Sequence, residues 1–329
     1  MEKFGSSRGT ELPQRHEGVS AIRSRNVAVL MAVRNGEPYI EEQLDSLARQ
    51  KDVNVDLWVS DDGSSDATMA ILERRATAWP LGTVRLVTGP RKGFAENFRS
   101  LLLRSEIEAD HFAFCDQDDV WDADKLAHAV EWLETQPAGL PALYCSRTRI
   151  VSAEGEPLGL SPLFPRPPSF RNAIVQSIAG GNTMVMNRAA RDVVAEACRR
   201  TSFVSHDWWC YLMVAGAGGS VFYCRDSRIG YRQHGANLVG QNSTWRARMS
   251  RIGFLFRGRF KDWNERNLAG LAACTDLLTD EARRIVAEFE AAREGRFPAR
   301  ILALRRSGVY RQTMLGEIGL YVACAIKRL

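Results

Sequence analysis

Apolar and polar positions alternate in blocks along the first two thirds of the chain, and the block lengths predict the elements. Residues 27–33 form a short unbroken apolar run, the pattern of a strand buried on both faces. Over 37–49 the apolar residues Tyr39, Ile40, Leu44 and Leu47 fall at helical spacing. The alternation continues with strand at 55–60, helix at 65–78, strand at 84–87, helix at 94–104, strand at 111–115, helix at 122–135 and strand at 142–151. Ser64 and Ser65 are cap candidates for the second helix. Repeated β-α units predict an α/β fold with a mostly parallel central sheet covered by helices. The stretch 155–168 is rich in Pro and Gly and reads as a loop between two halves. Beyond it come a strand at 183–186, helices at 188–199 and 206–215, and short strands at 221–223 and 228–231. After Ser243 the pattern is helical and rich in Arg. The predicted organisation is a segment without structure at 1–25, a catalytic domain at 26–240 with halves at 26–151 and 169–240, and a helical C-terminal region at 241–329.

Composition narrows the class only a little. Of 329 residues, 45% are hydrophobic and 25% charged, as in an ordinary globular protein with a sizeable core. The net charge of +5 is mild and fits an anionic substrate, a membrane surface or simply a solvated surface. Seven widely spaced cysteines without a C-x-x-C pair argue for buried thiols in a reducing compartment rather than for zinc or disulfides. Residues 1–25 mix charges, Gly, Ser and Pro13 and do not read as a signal peptide. A cytoplasmic location is therefore expected. The uncharged stretch 208–224 contains three glycines and reads as helix, turn and strand.

Four segments carry candidate chemistry. Asp61-Asp62-Gly63-Ser64 and Asp116-Gln117-Asp118-Asp119 follow predicted strands, where open α/β sheets bind ligands. The first also suits a turn with a helix cap. The second places three carboxylates within four residues, which repel unless a cation offsets them. Carboxylate oxygens suit Mg²⁺ or Mn²⁺. A calcium-binding EF-hand loop is excluded, because Val120, Trp121 and Ala127 occupy positions where that loop needs ligands or Gly. His206-Asp207-Trp208-Trp209 offers an Asp kept partly dry and hence more basic, or else a helix cap. Tyr231-Arg232-Gln233-His234-Gly235 offers donors and a His able to ligate metal or serve a structural role.

Taken in order, these segments resemble the family 2 glycosyltransferases with the GT-A (Rossmann-like) fold, in their bacterial rhamnosyltransferase-like branch. The resemblance runs over 27–240. It rests on Met31-Ala32-Val33-Arg34-Asn35-Gly36, Ser60-Asp61-Asp62-Gly63-Ser64-Ser65-Asp66, Cys115-Asp116-Gln117-Asp118-Asp119-Val120-Trp121, Gly180-Gly181-Asn182-Thr183-Met184-Val185, His206-Asp207-Trp208-Trp209 and Tyr231-Arg232-Gln233-His234-Gly235. It implies an inverting, metal-dependent transfer of a sugar, rhamnose among the candidates, from a dTDP- or UDP-sugar to a saccharide or lipid-linked saccharide in cell-surface polysaccharide synthesis. It also implies roles. Asp62 would meet the pyrimidine, with Val33, Arg34 and Glu37 nearby. Asp116 would face the ribose beside Gln117. Lys92 and Asn97 would line the nucleotide site, and Gly181 would belong to the same surface. Asp118 would hold Mn²⁺ or Mg²⁺ with His234 close by, and Asp207 would be the base, with Asp119 and His206 next in line. This chain departs from the branch at Val33-Arg34, where Thr-Tyr is usual, so a hydroxyl and a ring give way to a cation.

Rival readings are weaker in specific ways. A nucleotidyltransferase needs a Gly-rich phosphate loop after the first strand, and a dehydrogenase needs G-x-G-x-x-G there; neither is present. A catalytically inactive sugar-nucleotide-binding subunit would not need both Asp118 and Asp207. The stretch 245–261 interleaves Arg246, Arg248, Arg251, Arg257, Arg259 and Lys261 with apolar residues. It reads as a helix packed on the catalytic domain, or as a peripheral contact with the inner face of the plasma membrane. The Arg cluster is local and no nucleic-acid motif accompanies it, so nucleic acid is not an expected partner.

Overall fold

The computed structural model describes residues 25–235 and 259–329. The segment predicted to lack structure, apart from Arg25, and most of the basic stretch 245–261 lie outside these residues. The sheet grows outward from β1 (Asn26–Val33), which pairs in parallel with β2 (Asn54–Asp61) and with β4 (His111–Asp116). β2 in turn pairs with β3 (Val84–Thr88). The apolar run of β1 divides its side chains between two cores. Val27, Val29, Met31 and Val33 meet α1 (Ile40–Ala48), α2 (Thr68–Ala76) and α4 (Lys125–Glu134) on one face. Ala28 and Leu30 meet α3 (Phe94–Leu102) and the later helices on the other.

The far half of the sheet departs from the parallel pattern. β5 (Val120–Trp121), β6 (Ala142–Val151), β7 (Pro157–Leu160), β8 (Val185–Asn187) and β9 (Ser220–Arg232) complete nine strands among the described residues. Their order is β3-β2-β1-β4-β8-β6-β9-β5, with β7 paired to β6. β8 runs antiparallel to both β4 and β6, so it alone opposes its neighbours at the middle, and β6 and β9 beyond it run in the direction of β4. The two short strands expected at 221–223 and 228–231 are one strand, β9, interrupted by register shifts against β6. The expected loop 155–168 contains β7. β5 was not predicted, because two residues carry no periodicity.

Helix α2 is capped from outside its own sequence. Its N-cap is Ala67, not Ser64 or Ser65. The Ala67 N–H donates to the Glu37 carboxylate at 2.9 Å, and the Thr68 N–H to Asp66 at 3.1 Å. After α5 (Phe170–Ala173), α6 (Arg188–Arg200) and α7 (His206–Gly216) come four C-terminal helices. These are α8 (Arg259–Ala273), α9 (Asp280–Glu294), α10 (Ala299–Ser307) and α11 (Met314–Ala325). Leu268, Leu271, Ile285 and Phe289 join the same core as Trp208 and Trp209 of α7. Gly270 permits this approach, since a Cβ there would stand 2.7 Å from the Trp209 indole. All seven cysteines are free and buried. No helix among the described residues is long and apolar enough to cross a membrane.

The shared core has a measurable consequence. Phe289→Ala removes a fully buried ring from α9 and should cost about 3–5 kcal/mol. Denaturant unfolding followed through tryptophan fluorescence should show the midpoint of the whole chain falling. A midpoint unchanged within error would mean that the C-terminal helices do not support α7.

Candidate active site

Three parallel strands end side by side, and their carboxyl ends carry the acids. Val33 of β1 is in register with Asp61, and Ala32 with Asp116. The crevice beyond these ends is where an open α/β sheet accepts ligands. On its β2 side, Asp61 closes its own turn by accepting the Ser64 N–H at 3.1 Å. Asp62 is only 4% exposed. Its two oxygens accept the N–H groups of Arg91 (2.6 Å) and Gly93 (2.8 Å). Both donors have positive φ, 58° and 88°, and the resulting curl of the 91–93 loop aims successive amides at one carboxylate. Asp62 therefore fixes the loop that carries Lys92 and keeps lone pairs for one further donor.

The second acidic turn is held by residues far away in sequence. Asp119 is fully buried and accepts from the Asn182 amide and from the Arg232 N–H at 3.2 Å. The Arg232 side chain, 2% exposed, donates Nε to the Asp118 carbonyl at 3.0 Å and Nη1 to the Ala153 carbonyl at 2.7 Å. It also ion-pairs with Glu42 of α1. Its guanidinium lies 5.0 Å from the Tyr39 ring centroid, and His234 stacks on Tyr39 at 4.8 Å. His234 Nε2 stands 2.7 Å from the Asp118 carboxylate. The two predicted metal-site residues are thus brought together, although they are 116 positions apart.

Asp207 comes from a different layer. It sits in the first turn of α7 and accepts the Trp208 N–H at 2.7 Å. The start of α7 is anchored by His206, whose ring stacks on Phe98 at 3.9 Å and meets Phe114 of β4 edge-on. Gly181 is required beneath that ring: a Cβ would fall 2.0 Å from His206 Nε2. Trp208 and Trp209 turn inward. The Trp208 indole donates to the Ala173 carbonyl and Trp209 packs beside Phe203. Burial holds His206 near pKa 4, hence neutral, and among the described residues it has no hydrogen-bond partner. Of the three base candidates, His206 and Asp119 are buried and Asp207 is half-buried.

The other expected residues divide by exposure. Val33 is a core residue whose carbonyl accepts the Asp62 N–H at 2.9 Å, with its side chain packed among α1, α2 and α4. Asn97 is buried and donates to the Ser60 carbonyl at 2.8 Å, supporting the β2 end from below. Gln117 is fastened across the crevice, accepting from the Arg34 N–H at 2.7 Å and donating to the Arg34 carbonyl at 3.0 Å. Glu37 caps α2 as described. The side chains of Arg34 and Lys92 are exposed at the crevice rim. Tyr39, Glu42, Asn182 and Arg232 were not predicted as site residues. Arg232 and Asn182 lie inside quoted motifs, but Tyr39 and Glu42 carry no sequence signal beyond their place on α1.

The electrostatics ask for a cation. Burial, then Asp118 and Asp207, push the Asp116 pKa up to about 7. Burial and the neighbouring Asp116 and Asp118 also hold Asp119 well above the usual carboxylate range. Lys125 is the internal counter-charge below them, lying 3.4 Å from the Trp121 ring centroid. Burial lowers its pKa to about 7, so it does not offer a full charge at neutral pH. Among the described residues no group of three His, Cys, Asp or Glu side chains is placed to hold a metal unaided. The pair Asp118 and His234 suits a hard divalent ion that takes its remaining ligands from a diphosphate and water.

A family model for glycosyl transferase family 2 matches residues 28–193, half of the chain. The chain belongs to that family. Over 235 residues it is 28% identical to the dTDP-rhamnosyl transferase RfbG of Shigella flexneri, covering 68% of this chain and 78% of that one. The fold is that of the GT-A glycosyltransferases. S. aureus TarS 1–349 in complex with UDP-GlcNAc superposes with a TM-score of 0.54 at 18% identity, over 92% of this chain and 89% of that one. Against a second S. aureus TarS structure the match spans 63% of this chain and 36% of that chain. GalNAc-T7 with UDP, GalNAc and Mn²⁺ superposes with a TM-score of 0.50 at 11% identity, over 91% of this chain and 58% of that one.

As a glycosyltransferase, the protein should show the strain of its carboxylate cluster before any ligand binds. Asp116 has a folded pKa raised above its unfolded 3.8 to about 7. Its protonated form favours the folded state, so that contribution is complete below about pH 4 and disappears as pH rises through 7. Asp116→Asn removes the dependence. In metal-free buffer the melting temperature of the Asn variant should gain on the wild type as pH rises from 5 to 8. A constant difference across that range would show that the cluster is not under electrostatic stress.

Proposed function

We propose that this enzyme is an inverting, metal-dependent glycosyltransferase that takes its sugar from a nucleoside-diphosphate donor. The observation that carries the reading is that Asp116, Asp118 and Asp207, from two different layers, border one crevice, where burial first and then Asp118 and Asp207 raise the Asp116 pKa. The donor is a dTDP- or UDP-sugar, with dTDP-rhamnose favoured by the likeness to a dTDP-rhamnosyl transferase. The acceptor is a saccharide or lipid-linked saccharide of cell-surface polysaccharide synthesis. Such an acceptor suits a cytoplasmic enzyme with peripheral contact at the inner face of the plasma membrane. The basic stretch 245–261 was the sequence candidate for that contact.

The residues divide the work between holding and proton transfer. Asp62 accepts from the pyrimidine with its remaining lone pairs, while the Arg91 and Gly93 amides keep it in place. Asp116 faces the ribose. Asp118 and His234 would hold Mn²⁺ or Mg²⁺, which when bound supplies positive charge to the departing diphosphate. Asp207 takes the proton from the acceptor hydroxyl as that oxygen attacks the anomeric carbon. A single displacement of this kind inverts the anomeric centre and needs no enzyme nucleophile. His206 and Gly181 set where Asp207 stands. The alternatives, an inactive sugar-nucleotide-binding subunit or a nucleotidyltransferase, leave the accessibility of Asp207 unexplained.

A base acts on the acceptor, not on the nucleotide, and that separates its role from a structural one. Asp207→Asn should lower kcat by about 10² or more while nucleotide affinity stays within a few-fold. Steady-state kinetics and calorimetry on the same preparation would check both. Normal turnover in the variant would show that Asp207 is only a helix-cap residue. Activity of the wild type undiminished by EDTA would remove the metal from the proposal.

A further inference from the structure

The last helix presents an apolar face that nothing among the described residues covers. α11 reads Met-Leu-Gly-Glu-Ile-Gly-Leu-Tyr-Val-Ala-Cys-Ala. Its inward face carries Leu320, Ala323 and Cys324, all buried. The outward face should then be polar, as for any surface helix. Instead Met314 is 77% exposed, Leu315 73%, Ile318 53% and Val322 42%, and Ile326 just past the helix end is 45% exposed. No charge lies on this face. The one acid of the helix, Glu317, is engaged by the Arg311 N–H at 2.8 Å and by Arg166 at 3.6 Å. Five exposed apolar side chains in one stripe are not the scattered singles of a normal surface.

What borders the stripe indicates what covers it. Lys327 and Arg328 follow Ile326 directly; both are exposed, and neither ion-pairs with a described residue. At twelve residues the helix is about 18 Å long, too short to cross a bilayer but long enough to lie along one. The stripe comes from five residues at a single helix, against the roughly 20–30 residues a side of a standard protein interface. An apolar stripe edged by unpaired cations matches the anionic headgroup layer of a membrane, with the apolar side chains entering the acyl boundary and the cations meeting phosphates.

We propose that the outward face of α11, from Met314 to Ile326 with Lys327 and Arg328, is a docking surface for anionic lipid bilayers. It is separate from the crevice, and it does not depend on the identity of donor or acceptor. The contact is peripheral and reversible, and it orients the enzyme by its C-terminal end. No residue of the proposed surface belongs to the crevice machinery, so the surface can be altered without touching donor binding.

Sedimentation of the full chain with vesicles tests this directly. Vesicles of phosphatidylcholine with 30% phosphatidylglycerol (a chosen composition, roughly the charge density at which polybasic segments bind) should bind the wild type, and pure phosphatidylcholine should bind it at least ten-fold more weakly. Ile318→Glu with Val322→Glu should reduce binding to the anionic vesicles about ten-fold or more, with the melting temperature and nucleotide-induced stabilisation retained. Lys327→Glu with Arg328→Glu should weaken binding and flatten its salt dependence. Retained binding by the Ile318/Val322 variant would overturn the proposal and place any membrane contact elsewhere in the chain. Absence of wild-type binding would overturn it too, as would a wild-type dimer in sedimentation velocity that the Ile318/Val322 variant abolishes, since a second copy would then be the occupant.

Discussion

Three carboxylates on one turn at the buried end of a strand repel one another, and most of the site exists to keep them there. Asp118 and Asp119 are held by three residues distant in sequence, Asn182, Arg232 and His234. Asn182 and the Arg232 amide take Asp119. The Arg232 guanidinium takes the Asp118 backbone and is itself anchored by Glu42 and the Ala153 carbonyl. These contacts position Asp118 and Asp119 but do not balance the charge, because Arg232 is committed to Glu42 and Lys125 is buried enough to lose its proton near neutrality. The turn is thus rigid and electrically unfinished. That combination suits a site completed by a cation and a diphosphate: the geometry is set in advance and the missing charge arrives with the ligand.

The same logic explains why Asp207 comes from another layer. A base placed on the acidic turn would share its hydrogen bonds and lie beneath the donor. Carried on the first turn of α7, the proposed base stands apart from that turn and is half-buried. Its height is set by an apolar wedge, the His206 ring between Phe98, Phe114 and Gly181. The C-terminal helices reach this wedge from behind, through the contact of Gly270 with Trp209. Stability of the distant helical region and precision at the base are therefore linked through α7.

How much was legible in the sequence follows from distance along the chain. The apolar run of β1 and the blocks after it gave the parallel half of the sheet, since each strand there is long and its neighbours are joined by amphipathic helices. The acidic turns were visible because their residues are contiguous. The reversal at β8 was not visible: three residues carry no direction. Nor were the supports of the cluster, since the Arg232–Glu42 pair joins positions 190 residues apart. Val33 and Asn97 sit within recognisable segments, and their packing in the core and on the β2 end is set by residues the sequence does not place beside them. A motif names a neighbourhood and does not say which of its members face the ligand. The caps of α2 make the same point, because Glu37 on another loop does what Ser64 and Ser65 were placed to do.

The account stands on the claim that the acidic turn is short of one positive charge until metal and nucleotide bind together. Calorimetric titration of UDP with Mn²⁺ at pH 6.5, repeated in buffers of different ionisation enthalpy, measures the protons released on binding. With Asp116 titrating near 7, the account predicts that the wild type releases about 0.8 proton more than Asp116→Asn, which releases only the nucleotide's own. Binding that is independent of Mn²⁺, or proton release equal in the two proteins, would contradict it.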